Sequence, residues 1–168
     1  MASIGAFISL SLDGCYADAR GDISWAHSQD PEQAEFTAAN AKGGSGLLFG
    51  RVTYEMMAGF WPSPAAAEMM PDVAASMNAL PKFVVSRTLK AADWSNTTVI
   101  GGDLVGEVAR LKASGPDLTI LGSGSIVAQL ATAGLNTADF LIGSRLIEET
   151  DEAGFMRGDI SEIATALG

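Results

Sequence analysis

Three short stretches place glycine, hydroxyl and guanidinium groups directly after an apolar run, and each could hold a phosphorylated ligand. The first is Ile120-Leu121-Gly122-Ser123-Gly124-Ser125-Ile126. Glycines there let backbone N–H groups approach a pyrophosphate, and a helix N-terminus adds partial positive charge. The spacing is not G-x-G-x-x-G, because Val127 stands in the place of the third glycine. The motif also lies late in the chain, whereas a dinucleotide fingerprint usually opens the first strand–helix unit. The competing reading is a tight strand-to-helix turn. The second stretch is Leu48-Phe49-Gly50-Arg51-Val52-Thr53-Tyr54-Glu55. Arg51 could pair with a phosphate, and Thr53 could cap the helix or donate to phosphate oxygens. Equally, Arg51 could form a salt bridge with Glu55 one turn on. The third is Val85-Ser86-Arg87-Thr88, whose two hydroxyls and guanidinium suit the 2′-phosphate of an adenosine ribose, or form a solvated loop.

Charge sharpens these candidates. The 168 residues carry 10 Lys and Arg against 20 Asp and Glu, a net charge of −10. An anion must therefore find local positive charge, and two of the few basic residues follow apolar runs in this way. The same balance argues against a nucleic-acid partner, since neutralising phosphates needs clustered Lys and Arg. Cys15 is the only cysteine and His27 the only histidine, so neither an internal disulfide nor a Cys/His zinc site is expected. No metal is expected. No G-x-S-x-G elbow occurs, and the N-terminus lacks the basic region of a secretory signal. No apolar run reaches membrane-spanning length. These features lead to the expectation of a soluble cytoplasmic protein with no membrane contact.

The elements that must position these residues alternate. The length suits one domain over 1–168, able to bury a core without staples. A strand is expected over Ile4 to Leu12, stopped by Asp13-Gly14, then a polar loop from Ala17 to Trp25. Asp30-Pro31 opens a helix to about Ala41. Further strands are expected at Gly46 to Gly50, Lys82 to Ser86, Thr97 to Ile100 and Leu118 to Leu121. Helices are expected at Thr53 to Ala58, Ala65 to Leu80 (broken near Pro71), Leu104 to Ser114 with Asp103 as N-cap, and Ile126 to Ala133. Strands alternating with helices imply an α/β domain with a largely parallel sheet, whose ligands sit at the carboxyl ends of the strands.

Five segments resemble one family in order and spacing. They are Ile8 to Gly14, Gly21 to Trp25, Leu48 to Glu55, Val84 to Thr88, and Leu121 to Ser125 with Gln129-Leu130 and Ala133-Gly134-Leu135. Together they are similar to the dihydrofolate-reductase-like family that includes the reductase domain of the riboflavin-biosynthesis deaminase/reductase. The resemblance spans about residues 3–135. It implies a three-layer α/β/α domain with a mixed, mostly parallel sheet that binds NADPH. By position, Gly50, Arg51 and Thr53 would lie near the cofactor phosphates. Ser86, Arg87 and Thr88 would hold the 2′-phosphate, and Gly122, Ser123, Gly124, Ser125 and Ile126 would cradle the pyrophosphate. The first strand and the loop from Asp13 to Trp25 would border the nicotinamide and the substrate.

That resemblance implies an NADPH-dependent reductase of a small pterin- or ribosylaminopyrimidine-like molecule, with Asp13 orienting substrate or helping deliver a proton. Trp25, Phe60 and Trp61 could wall a flat heteroaromatic ring, or they belong to the core. Three departures stand out. Leu121 replaces an acid that riboflavin-pathway reductases carry before the glycine pair. Glu32 and Gln33 compete for the place of the pterin-pairing carboxylate of folate reductases. After Leu135 the usual acidic pair, strand and hairpin give way to a divergent segment, 136–168, with one strand at Phe140 to Ile142 and a weakly helical stretch at Ile160 to Leu167. An apolar strand left without its hairpin would need a cover, so a homodimer with the C-terminal third of the chain in its interface is expected. The alternatives are a dinucleotide-binding protein without catalysis, and a structural or oligomerisation domain on the same fold.

Overall fold

In the computed structural model, residues 2–11, 17–24 and 45–135 and the strands at 140–145 and 155–156 are described. Gly46–Gly50 carries three large apolar side chains in a row, all buried, so this strand must be covered on both sides. It occupies the middle of a six-stranded sheet. The strands are β1 (Ile4–Ser11), β3 (Gly46–Gly50), β4 (Lys82–Val85), β5 (Thr97–Ile100), β6 (Leu118–Leu121) and β7 (Phe140–Arg145). Their order is β5-β4-β3-β6-β1-β7, and every neighbouring pair is parallel. Leu48 lies opposite Phe83 on one side and Ile120 on the other.

Period-two alternation sorts the strand side chains between two cores. Leu48, Ile4, Ala6, Leu118 and Ile120 face α4 (Leu104–Ser114) and α5 (Gly124–Thr132), which contribute Leu104, Val108, Ile126, Val127 and Leu130. Leu47, Phe49 and Val84 face α1 (Arg51–Phe60), α2 (Pro64–Met69) and α3 (Pro71–Ala79), which contribute Tyr54, Ala66, Val73, Ala74 and Met77. The result is the expected three-layer α/β/α arrangement. Prolines punctuate it: Pro64 and Pro71 each open a helix, where a missing N–H costs nothing.

At the amino ends of β4 and β5 the second core closes around Trp94. Its indole Nε1 donates to Asn78 Oδ1 at 2.6 Å, and its backbone N–H donates to the Tyr54 hydroxyl at 3.2 Å. Lys82, fully buried, donates to the Leu80 and Asn78 carbonyls at 2.7 and 3.2 Å and lies 4.5 Å from the Trp94 ring centre.

Two expectations change. The stretch after β1 is not wholly loop: Ala17–Asp18 forms a short strand, β2, antiparallel to β8 (Phe155–Met156). The strand expected at Phe140 to Ile142 is present but longer, and it is not left unpaired: β7 runs over six residues and pairs with β1 from Ala6–Phe140 to Ser11–Arg145. The helix expected from Asp30 to Ala41, the one at Ile160 to Leu167, and Glu32, Gln33, Cys15 and His27 lie outside the described residues.

Candidate functional site

The sheet order reverses between β3 and β6. From β3 the chain passes over one face to β4, and from β6 it passes over the other face to β7, beyond β1. In an open parallel sheet the crevice at the carboxyl end of such a reversal is the usual ligand position. Both glycine turns singled out from sequence stand at this point, because β3 and β6 are paired neighbours.

The two turns interlock. Gly50 N–H donates to Ser123 Oγ at 2.8 Å, and Ser123 Oγ lies 3.3 Å from Thr53 Oγ1. A Cβ on Gly50 would come within 2.7 Å of Ser123 Oγ, so a side chain there would displace that hydroxyl. Gly122 has φ +62, and a Cβ there would meet Thr53 Oγ1 at 3.3 Å. Ser123 itself holds a left-handed backbone, φ 59 and ψ 60. Gly122 N–H donates to the Phe7 carbonyl at 3.2 Å, which ties the turn to β1 as well.

Helix α1 starts at Arg51, directly after β3, and α5 at Gly124, with two residues between it and β6, both earlier than sequence periodicity suggests. Neither has a side-chain cap or an acid in its first turn. Their first N–H groups therefore have no side-chain partner within the helix, and both positive dipole ends meet at one place. Thr53 does not cap α1; it faces Ser123 instead. Helix α4 makes the contrast. Its N-cap Asp103 accepts from the N–H groups of Val105 and Gly106 at 3.3 and 3.0 Å, so a carboxylate already fills that end. Sequence reasoning does not single out Gly101-Gly102, which precedes Asp103 on the same edge, although a glycine pair between strand and helix was the available signal.

Arg51 makes the i,i+4 salt bridge, Nη1 to Glu55 Oε2 at 2.7 Å, with both side chains about half exposed. At the carboxyl end of β4, Ser86 is buried and its Oγ accepts from the N–H groups of Thr88 and Leu89 at 3.2 and 2.9 Å. Ser86 thus shapes the loop, while Arg87 and Thr88 are exposed on it. Arg20, Arg51 and Arg110 each pair with an acid; among the described residues Arg87 does not. Ser125 is exposed beside Gly124, and Ile126 is buried in the first core.

Trp61 is not brought to this edge. It is 8% exposed, in the second core, with Nε1 donating to Met57 Sδ at 3.0 Å and its carbonyl accepting from Asn78 Nδ2. Asn78 also binds Lys82, the first residue of β4, so Trp61 belongs to the opposite end of the sheet. Phe60 packs edge-on against it, at 5.0 Å. Asp13 and Trp25 lie outside the described residues. In the loop between them, the Asp18 carboxylate accepts from the N–H groups of Asp22 and Arg20 at 2.7 and 2.8 Å, and these bonds hold its pKa below the usual value. Asp22 accepts from the Ser24 hydroxyl and N–H, with the same effect. Both acids serve to shape the loop.

The described residues include no group of three or more His, Cys, Asp or Glu placed to hold a metal, and no helix among them is long and apolar enough to cross a membrane.

A family model described as the RibD C-terminal domain matches residues 2–138. Among solved structures, one from Shewanella sp. PV-4, assigned provisionally to riboflavin biosynthesis, is 26% identical with a TM-score of 0.65, covering 87% of this chain and 78% of its own. Dihydrofolate reductase from Schistosoma mansoni is 17% identical with a TM-score of 0.58, covering 95% of this chain and 82% of its own, a likeness of fold. No curated protein sequence matches the chain.

Proposed function

The chain belongs to the RibD C-terminal domain family, and from that premise we propose that it is an NADPH-dependent reductase acting on a small pterin- or ribosylaminopyrimidine-like molecule. One observation carries the reading. Two uncapped helix starts, free of acids, meet at the sheet reversal, in a chain whose net charge is −10. A pyrophosphate is the group that such a pair of N-termini would stabilise. Arg87, with no acid partner among the described residues, stands two strands from β6 on the same edge, where a 2′-phosphate would find it. The residues present therefore fit a phosphorylated dinucleotide.

NADPH, when bound, supplies a hydride to a C=N or C=O carbon. The chain's own part is to bind and orient. Thr53 and the backbone of the turn from Gly122 to Ile126 would hold the pyrophosphate, with Gly50 beside them and its own N–H taken by Ser123. Arg51 shares its guanidinium between Glu55 and a phosphate oxygen. Ser86 fixes the loop from which Arg87 and Thr88 reach the 2′-phosphate. Asp13 orients the substrate or passes it a proton, and Trp25 borders the ring. Trp61, deep in the second core, supports the fold and not the substrate.

The test is a fluorescence titration with NADPH and NADH, followed by NADPH oxidation with pterins and ribosylaminopyrimidines. Tight NADPH binding with weak NADH binding and turnover of one substrate class is expected. Binding without turnover would favour a dinucleotide-binding protein, a reading that Leu121 in the place of an acid supports. Absence of binding would leave a structural domain.

A further inference from the structure

We propose that Ser123 is a positioning residue: its hydroxyl clamps the β3–α1 turn onto the β6–α5 turn and directs Thr53, and it does not itself contact a cofactor phosphate. The inference rests on the cofactor reading above.

Ser123 has a backbone that residues bearing a Cβ avoid, with φ 59. Glycine would hold that conformation without strain, and glycines stand on either side. A serine here therefore needs a reason, and the hydroxyl supplies one. It reaches across 73 positions of sequence to accept the Gly50 N–H at 2.8 Å. That N–H would otherwise be left without a partner at the start of α1, whose N-cap residue is Gly50. Each turn presents a glycine to a hydroxyl of the other: Gly50 faces Ser123, and Gly122 faces Thr53.

The protons then follow. A hydroxyl has two lone pairs and one proton. The Gly50 N–H occupies one lone pair of Ser123. The 3.3 Å contact with Thr53 Oγ1 allows either hydroxyl to donate, and we take Ser123 as the donor. With Ser123 donating to it, the Thr53 hydroxyl keeps its own proton for an outside acceptor. The series Gly50 N–H to Ser123 to Thr53 polarises in one direction, so the last donor is strengthened by the first. Thr53 sits in the first turn of α1, where the helix dipole also favours an anion. Thr53 is the donor to phosphate, and Ser123 acts through it.

The test is a double-mutant cycle on NADPH affinity with Ser123→Gly, Thr53→Val and both together, and Thr53→Ser as the conservative variant. Glycine at 123 removes the hydroxyl and relieves the left-handed strain, so the variant is expected to fold. Each single change should raise the NADPH Kd about 5- to 10-fold, and the double no further than the worse single, because coupled residues are not additive. Thr53→Ser should stay within about 2-fold of the natural chain. Adenosine 2′-monophosphate, which lacks the pyrophosphate, should bind all forms alike. In the ligand-free protein, Ser123→Gly should speed exchange of the Gly50 amide about 10-fold or more. Multiplicative effects in the double variant, an unchanged Kd in Ser123→Gly, or unchanged Gly50 exchange would overturn the clamp while leaving the cofactor reading intact. A natural chain that binds neither NADPH nor adenosine 2′-monophosphate would overturn both.

Discussion

Lys82 offers a prediction in which both sign and size follow from its surroundings. It is fully buried at the start of β4, and no acid among the described residues pairs with it. Burial lowers its pKa from 10.5 to about 8. Two carbonyls and the face of Trp94 receive the ammonium, which limits the cost of desolvation without removing it. The folded chain thus gives up this proton more readily than the unfolded one. Between pH 8 and 10.5 the unfolded state binds more protons, so stability must rise with pH in that window. Below pH 8 both states are charged and the penalty stands in full. The whole difference amounts to about 3 kcal/mol, of which about 2 should be recovered between pH 7 and roughly pH 9.5. The assay is urea unfolding of the natural chain and of Lys82→Met at the two pH values, because the difference between the chains cancels every other titrating group. The natural chain should gain about 2 kcal/mol on the variant as pH rises. A difference that stays level, or moves the other way, would show that the carbonyls and the indole fully compensate the buried charge.

Other outcomes are open to measurement. Arg87→Ala should weaken NADPH about 10-fold and NADH little, the lower end of a charge-assisted bond because the side chain is exposed, and the effect should shrink in salt; equal losses for both cofactors would remove Arg87 from the 2′-phosphate. Gly122→Ala should cost about 1–2 kcal/mol of stability and about 2–8 °C in Tm, since φ is +62 and the new methyl meets Thr53, not open ligand volume; an unchanged thermal transition would refute the strain. We also propose a homodimer through residues 136–168, because β7 is the outer strand next to β1; sedimentation of the whole chain at micromolar concentration should return twice its 17.3 kDa, and a well-folded monomer would end the proposal.

What the chain revealed in advance depended on how local each signal was. Gly-Pro punctuation and the Asp103 cap mark their elements because the physics lies within a few residues: Asp103 reaches only as far as Gly106. The strand at Gly46–Gly50 was legible as an unbroken apolar run between turn residues, and the one at Leu118–Leu121 as a short run broken only by Thr119. Register and neighbours were not. Nothing near Phe140 says that it pairs with Ala6, or that the tail returns to Ala17. The same limit governs side chains. A lysine opening a strand reads as exposed, and Lys82 is buried because the end of α3, with Asn78 and Leu80, and the more distant Trp94 close over it. Ser86 and Arg87 are adjacent and look alike as phosphate ligands, yet the first is spent on the N–H groups of Thr88 and Leu89 and the second is not.

The candidate site shows this most sharply. Each glycine turn alone has two readings, a plain turn or a phosphate cradle, and no amount of local inspection separates them. Their meaning comes from adjacency. Parallel pairing of β3 with β6 sets the two helix starts side by side, and the reversal of strand order there sends α1 and α5 to opposite faces. Two dipole ends then converge without an acid between them, whereas α4, a single helix on the same edge, neutralises its own end with Asp103. A fold that needed only tight turns would have been free to cap all three in that way. Leaving two of them bare, locked together through Gly50 and Ser123, keeps a concentration of positive potential in an acidic protein, and that is a feature an anionic ligand would use.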